Sequence, residues 1–459
     1  MNAIEKGELK KNLKYVVTTG MVTVLVTNIV GLIMPLCLTY EAYAEYKIYT
    51  TYIAFAGLLH FGFINGVYLE YGKLNYDQLP KDKFRAYFLI LLIMQMLVTV
   101  GMVVFALFCF KEYKLSYFYV ALNVPLINLN CYFSLINQFT KRFKKDTTVQ
   151  GAQSLLWCIL AIGLFFGVTD DSREVLPQVL FINLFAMIYQ IAINCDIAFG
   201  KREKIKNVWC DVKGFIKSGS YVMLSELIGL ILINVDLIFV QHLFSVYDFA
   251  IYAFAVSIIN AVYALMTYVN GICYPYLVRE NDEGKTFEKL HNIMLDLGIL
   301  FLATYYVLEV ILREFVPQYT DSIPVIKILY VTILVKMIVM GVYNNVCKVL
   351  KKNNVFLVIN IFVLIVSVVL NWVAFVGGES VEAIGIASVV SSLIWLAALE
   401  IFVHLKVPYV FVWIRIFIAV IAFLCLNYNF VLSVCLYLFV NVVCKFVLGR
   451  LDSKIGSKT

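Results

Sequence analysis

Long apolar runs alternate with short polar gaps along the whole chain, and the runs show neither the alternation of a half-buried strand nor the single stripe of a surface helix. A helix crosses about 30 Å of hydrocarbon with about 20 apolar residues at 1.5 Å per residue. On that measure the first half carries spans at 15–38, 47–68, 86–110, 117–139, 150–168 and 177–198. The second half carries spans at 219–240, 249–276, 293–312, 323–345, 355–376 and 382–404, and two more follow at 409–426 and 429–448. The fold expected is therefore all-α and integral to a membrane, with 14 transmembrane helices. A hydrophobic content of 62% and a mean hydropathy of +0.87 exclude an ordinary soluble domain, which holds about 45–50% apolar residues.

The charges orient the spans. Of 37 lysines and arginines, 29 fall in the N-terminal tail, the even-numbered gaps and the C-terminal end, and only five in the odd gaps. Positive residues stay on the cytoplasmic side, so both termini are expected in the cytoplasm. The net charge of +7 reflects this rule, and no nucleic-acid partner is expected. The first apolar run exceeds a signal-peptide core and should persist as span one. Eleven cysteines form no CxxC pair and read as small apolar residues.

A repeat runs through the chain. Asn137, Lys141, Lys144 and Lys145 recur as Asn344, Lys348, Lys351 and Lys352, and Asn65-Gly66-Val67 recurs as Asn270-Gly271-Ile272. Six spans separate each pair, so two bundles of the same polarity are expected. They are two pseudo-symmetric six-helix bundles, 1–205 and 206–405, with two additional peripheral helices and a cytoplasmic tail in 406–459. Such a pair encloses a central cavity and can rock to give alternating access.

Three stretches carry a family resemblance. These are Tyr43 to Gly72; Asn234-Val235-Asp236 continuing to Tyr247 and Ala250-Ile251-Tyr252; and Phe315 to Asp321. With the 6+6+2 plan, they resemble the polysaccharide-transporter branch of the MOP superfamily. The resemblance implies a flippase that moves an undecaprenyl-pyrophosphate-linked oligosaccharide, an O-antigen or capsular repeat unit, across a bacterial cytoplasmic membrane. It implies membrane lipids and the lipid-linked oligosaccharide as partners, with a coupling ion (proton or sodium) and the glycan polymerase machinery. A sugar–pyrophosphate headgroup cannot cross hydrocarbon unaided, because each unsatisfied polar group costs several kcal/mol there. Span one, Tyr15 to Leu38, holds no charge. Lipid II flippases and many drug/sodium antiporters of the superfamily carry charge there, so the O-antigen or capsule type is favoured.

Charges inside spans cost about 2.5–3.5 kcal/mol and tend to face a cavity. Glu226 and Asp236 on span seven lie about 80° apart around the helix, and Asn234 lies about 80° from Glu226 on the other flank. This polar side is the leading candidate for substrate contact or ion coupling, with an interhelical structural contact as the alternative for each residue. Lys327 and Lys336 on span ten lie about 180° apart. Lys336 is the deeper and is the candidate for an anionic pyrophosphate, with an interhelical ion pair as its alternative. His60 on span two joins the cavity candidates, against a satisfied interhelical histidine. Asp296, Glu309, Glu400 and Arg415 read as interfacial and solvated. Tyr40, Tyr43, Tyr46, Tyr49 and Tyr52 read as an aromatic belt. Asn65, Gly62, Gly66, Asn270 and Gly271 are expected at close helix approaches or breaks.

No HExxH, GxSxG or GxxxxGK[ST] motif is present, so neither a catalytic site, a metal site, a cofactor nor direct ATP hydrolysis is expected. The alternative function is a small-molecule/cation antiporter of the same superfamily. A membrane-embedded glycosyltransferase or polymerase ranks below both, because every outer gap is short.

Overall fold

A computed structural model describes residues 26, 30–31, 33–72, 74–109, 112–167, 172–261, 283–350, 352–378, 380–403, 409–426 and 430–456. The regular elements among them are all helical. They run α1 (Tyr40–Ala56), α2 (Phe63–Tyr71), α3 (Lys81–Cys109), α4 (Lys114–Phe139), α5 (Phe143–Phe165), α6 (Ser172–Ile193) and α7 (Ile205–Leu243), then α8 (Val246–Ala261). There follow α9 (Glu283–Phe315), α10 (Ile323–Ile338), α11 (Asn353–Gly378), α12 (Val381–Val403), α13 (Tyr409–Cys425) and α14 (Phe430–Gly456). Ten described helices are long and apolar enough to cross a membrane, and α8 and α13 are shorter apolar ones. These twelve fall on the expected spans three to fourteen. Most of span one, and the Asn270-Gly271 pair, lie outside the described residues.

Span two departs from the sequence reading. It is two helices, α1 and α2, joined by a turn at 57–62 in which Phe61 has φ 51° and Gly62 φ 80°. The break strands carbonyls at the end of α1, and buried polar side chains donate to them. Asn128 of α4 donates to the Ala56 carbonyl at 3.0 Å and to Gln95 Oε1 at 2.8 Å, and Gln95 Nε2 donates to the Leu59 carbonyl at 3.1 Å. An apolar run cannot announce this break, because the side chains that repair it come from other helices.

The chain divides into two compact units, Met1–Leu230 and Ile231–Thr459. The division falls inside α7. The first half of this helix packs on α2, where a Cβ on Gly66 would overlap the Phe215 backbone and one on Gly219 would overlap Gly62. Its last turns hydrogen-bond to α8 and α12.

In the first unit α4 is the axis, with α1, α3, α5 and α6 packed around it. More than half of its apolar window, 56%, is buried, against 22–28% for α3, α5 and α6, so those helices carry the lipid face. The tyrosine stripe of α1 faces this axis. Tyr43, Tyr46 and Tyr49 are buried, and Tyr52 meets Tyr117 edge-on at 5.1 Å; these rings are core, which corrects the aromatic-belt reading. At the end of the unit that bears the basic gaps, Asp196 accepts from Lys81 at 2.8 Å and Tyr76 at 2.6 Å, and Arg142 lies over the Tyr76 ring at 3.6 Å.

In the second unit the axis is α10, continued by a π turn at Val339–Tyr343 and a short helix Asn344–Val349. Its window is 78% buried, the highest among the described spans. The helices α9 and α12 pack directly on it, and α11 packs on α12. The pair α13 and α14 leans on α9, with Tyr437 donating to the Ile299 carbonyl and Tyr306 to that of Phe423, each at 3.1 Å. Lys327, at the start of α10, donates to Leu424 at the end of α13 at 3.2 Å, where a cation complements the helix terminus.

Candidate functional site

The deepest polar feature of the second unit is built where α7, α8, α10, α11 and α12 converge. Asp236 is 9% exposed. Its Oδ2 accepts from the Tyr252 and Ser388 hydroxyls, both at 2.8 Å, and its Oδ1 accepts from the Leu237 N–H at 2.8 Å. Beside it opens a cavity of about 40 Å³, lined also by Asn260, Thr332, Lys336, Ser367, Ser388, Ser391, Ser392 and Trp395. Thr332, Ser391 and Ser392 donate their hydroxyl protons to backbone carbonyls of their own helices at 2.7–3.0 Å. Their oxygens are left as acceptors toward the cavity. The lining thus combines acceptor oxygens, one carboxylate and one ammonium, and Asp236 is the charged group whose field reaches Lys336.

Size decides what this cavity can hold. A volume of about 40 Å³ exceeds what one water needs, so the chamber admits several waters or a small ion. Lys336 lines the same chamber as Asp236.

The other candidates lie elsewhere. Glu226 is exposed on α7, in the first unit, where it accepts from Asn65 Nδ2 of α2 at 3.4 Å. Ten residues along α7, Asp236 is buried in the second unit, so the two carboxylates belong to separate sites. Asn234 is half-buried between them in sequence. His60 is 3% exposed and its Nδ1 accepts from the Gly62 N–H at 3.1 Å, inside the span-two break. Gly66 sits at the close approach of α2 to α7.

Two expectations about span-end charges change. Glu400 is 5% exposed and accepts from Trp413 Nε1, so burial replaces the expected solvation. Arg415 and Lys445 both pair with Asp296, so the charge of Asp296 is met by side chains of α13 and α14. Sequence reasoning missed Tyr252, Thr332 and the serines of α12. A signal existed: Ser388, Ser391 and Ser392 stand at i, i+3 and i+4 in an apolar span, which places three hydroxyls on one face.

No family model matches the chain, and no curated protein does. Solved structures do. The lipid II flippase MurJ in an inward closed conformation aligns with a TM-score of 0.72 at 11% identity, covering 96% of this chain and 98% of that one. An inward-facing multidrug resistance MATE transporter of the MOP superfamily aligns at 0.56 and 13% identity, covering 86% and 95%. A MOP superfamily transporter from Pyrococcus furiosus aligns at 0.50 and 14% identity, covering 86% and 96%. The chain has the fold of the MOP-superfamily transporters. With ten long apolar helices, it is a multi-pass membrane protein. The named functions of these neighbours belong to transporters and a flippase, and at such identities the likeness extends to fold alone.

Proposed function

We propose that the chain is a flippase for an undecaprenyl-pyrophosphate-linked oligosaccharide, an O-antigen or capsular repeat unit. It works in a bacterial cytoplasmic membrane by alternating access, with both termini in the cytoplasm, and hands its product to glycan polymerase machinery. One observation carries the reading. Glu226 and Asn65 form a polar pair in which the carboxylate is exposed, although both residues lie within apolar spans. A carboxylate turned to hydrocarbon costs several kcal/mol, so this face of α2 and α7 is wet. A wet face within spans is what a sugar–pyrophosphate headgroup needs while its prenyl chain stays in lipid. The chamber of Asp236 and Lys336 suits the coupling ion, a proton or sodium, on grounds of size and charge.

The small-molecule/cation antiporter remains the second reading, favoured by the same ion-sized chamber. Reconstituted vesicles separate the two. With a fluorescent undecaprenyl-pyrophosphate oligosaccharide and a membrane-impermeant quencher, the flippase makes nearly all of the label accessible, against about half in protein-free vesicles. Glu226→Gln lowers the rate at least tenfold while leaving monodisperse protein. Vesicles in which the wild-type chain moves organic cations and leaves the lipid label untouched decide for the antiporter.

A further inference from the structure

A second buried polar site lies in the same unit, away from the Asp236 chamber and unused by the transport reading. His291 of α9 is fully buried and Glu400 of α12 is 5% exposed. The His291 Nε2 and Glu400 Oε1 atoms stand 3.9 Å apart. Neither atom has a hydrogen-bond partner, and neither has His291 Nδ1. Buried polar atoms left unpaired cost about 1–3 kcal/mol each, so three at one point mark a polar cluster that the protein's own side chains do not satisfy.

The gap is open to closure by a proton. A direct N–H···O bond needs about 2.9 Å, and 3.9 Å is too long for it. A water bridging two atoms by bonds of about 2.8 Å at a tetrahedral angle spans about 4.5 Å, and 3.9 Å is too short for that. A proton needs no volume. On binding it, the imidazole becomes an imidazolium whose Nε2–H donates to the Glu400 carboxylate, and the attraction closes about 1 Å of gap.

Charged and aromatic groups from three helices surround this pair among the described residues. On α9, Asp296 is engaged by Arg415 of α13 and Lys445 of α14. Trp413 of α13 holds the other oxygen of Glu400, and Tyr343, at the end of the π turn, meets the His291 ring edge-on at 6.0 Å. Glu400 is thus the acid that faces His291, and the Arg415 guanidinium also lies within electrostatic reach of the imidazole. We propose that His291 and Glu400 form a proton-binding latch that draws the expected cytoplasmic ends of α9 and α12 together. Histidine is the side chain whose charge changes between about pH 5 and 8. The latch goes beyond the transport reading and stands whatever the cargo is.

Trp413 reports on it, because its indole N–H is bonded to Glu400. The test follows tryptophan emission of the solubilised full chain from pH 4.5 to 8.5, with Trp413→Phe as the blank for the four other tryptophans. The expected result is a single one-proton transition in the wild type that disappears in His291→Gln and in Glu400→Gln. Glu400→Asp, which keeps the charge and widens the gap, moves the midpoint and guards against a glutamine variant that fails to fold. Flat emission in the wild type, the same transition surviving in either glutamine variant, or an unmoved midpoint in Glu400→Asp overturns the latch. Since no cargo enters the measurement, its failure leaves the flippase reading untouched.

Discussion

Deleting the Asp236 carboxylate tests whether the ion-sized chamber is an electrostatic unit. In Asp236→Ala the Tyr252 and Ser388 hydroxyls lose a shared acceptor at 2.8 Å, at about 1–3 kcal/mol for each donor left unsatisfied. The Lys336 ammonium also loses the one opposite charge in its chamber. No ion pair within 4.0 Å joins the two, and at 4 Å with an effective dielectric of 20 the attraction is about 4 kcal/mol, which bounds their coupling from above. The working range is about 1–3 kcal/mol. The assay is a double-mutant cycle of Asp236→Ala and Lys336→Met, read as unfolding free energy in mixed micelles. Each single variant should be destabilised, and the double variant should be more stable than the sum of the two by about 1–3 kcal/mol, because it buries no unpaired charge. Additivity within about 0.5 kcal/mol would refute the chamber as a charge pair and reduce Lys336 to a cation solvated on its own.

Three further outcomes follow from the first unit. Gly219→Ala should abolish monodisperse protein, since the new Cβ meets the Gly62 carbonyl, whereas Gly101→Ala, with nothing within 4 Å, should be neutral or slightly stabilising; size-exclusion profiles compare them. Asn128→Leu leaves the Ala56 carbonyl and Gln95 Oε1 without their donor and should cost about 2–5 kcal/mol, visible as a lowered melting temperature. Burial alone would raise the Asp196 carboxyl, but hydrogen bonds from Lys81 and Tyr76 outweigh it and hold the group below the ordinary carboxylate value. A depressed carboxyl stabilises above its unfolded value near pH 3.9 and loses that stabilisation as pH falls through the folded one. Stability should therefore drop below about pH 4, by under about 1 kcal/mol for this half-exposed pair. Lys81→Met should flatten that acid limb in melting curves.

Hydropathy made the transverse plan legible, because length and apolarity are what a bilayer demands of each helix. Spans three to fourteen follow from windows of residues that need no partner to be recognised. The sites were less legible, since they depend on which helices meet. Asp236 and Lys336 stood out as intramembrane charges, yet their shared chamber required α8, α11 and α12 to supply Tyr252, Ser367 and Ser388. Helical phase placed Glu226 and Asp236 on one broad side of α7. The unit boundary at Leu230 and Ile231 separates them, and a wheel has no means of seeing a change of neighbours along one helix. Glu400 looked like a span-end residue, and the Trp413 indole of α13 meets its carboxylate. Periodicity of three along α1 was read correctly as a stripe and assigned to the wrong surroundings, because amphipathic tyrosine suits an interface and a hydrogen-bonded core equally.

The π turn of α10 reconciles the two polar sites of the second unit. Lys336 faces the chamber shared with α7, α8, α11 and α12, whereas Tyr343, seven residues on, faces His291 of α9. In an unbroken α-helix residues seven apart lie within about 20° of one face, so one helix could not serve both neighbours. A π turn adds a residue without adding a full α-helical step. Seven positions then span about the rotation of six, and the two side chains part by about 120°. Deleting Met340 should remove the added residue and leave both facings intact. The variant should stay monodisperse and lose less than about 4 °C in melting temperature, the shift expected for about 1 kcal/mol. Its Trp413 emission should keep the pH transition assigned to His291 and Glu400. If the deletion instead unfolds the chain, or abolishes that transition while Lys336 and Asp236 stay coupled in the mutant cycle, the extra residue does more than set the phase of α10, and the two sites communicate through it.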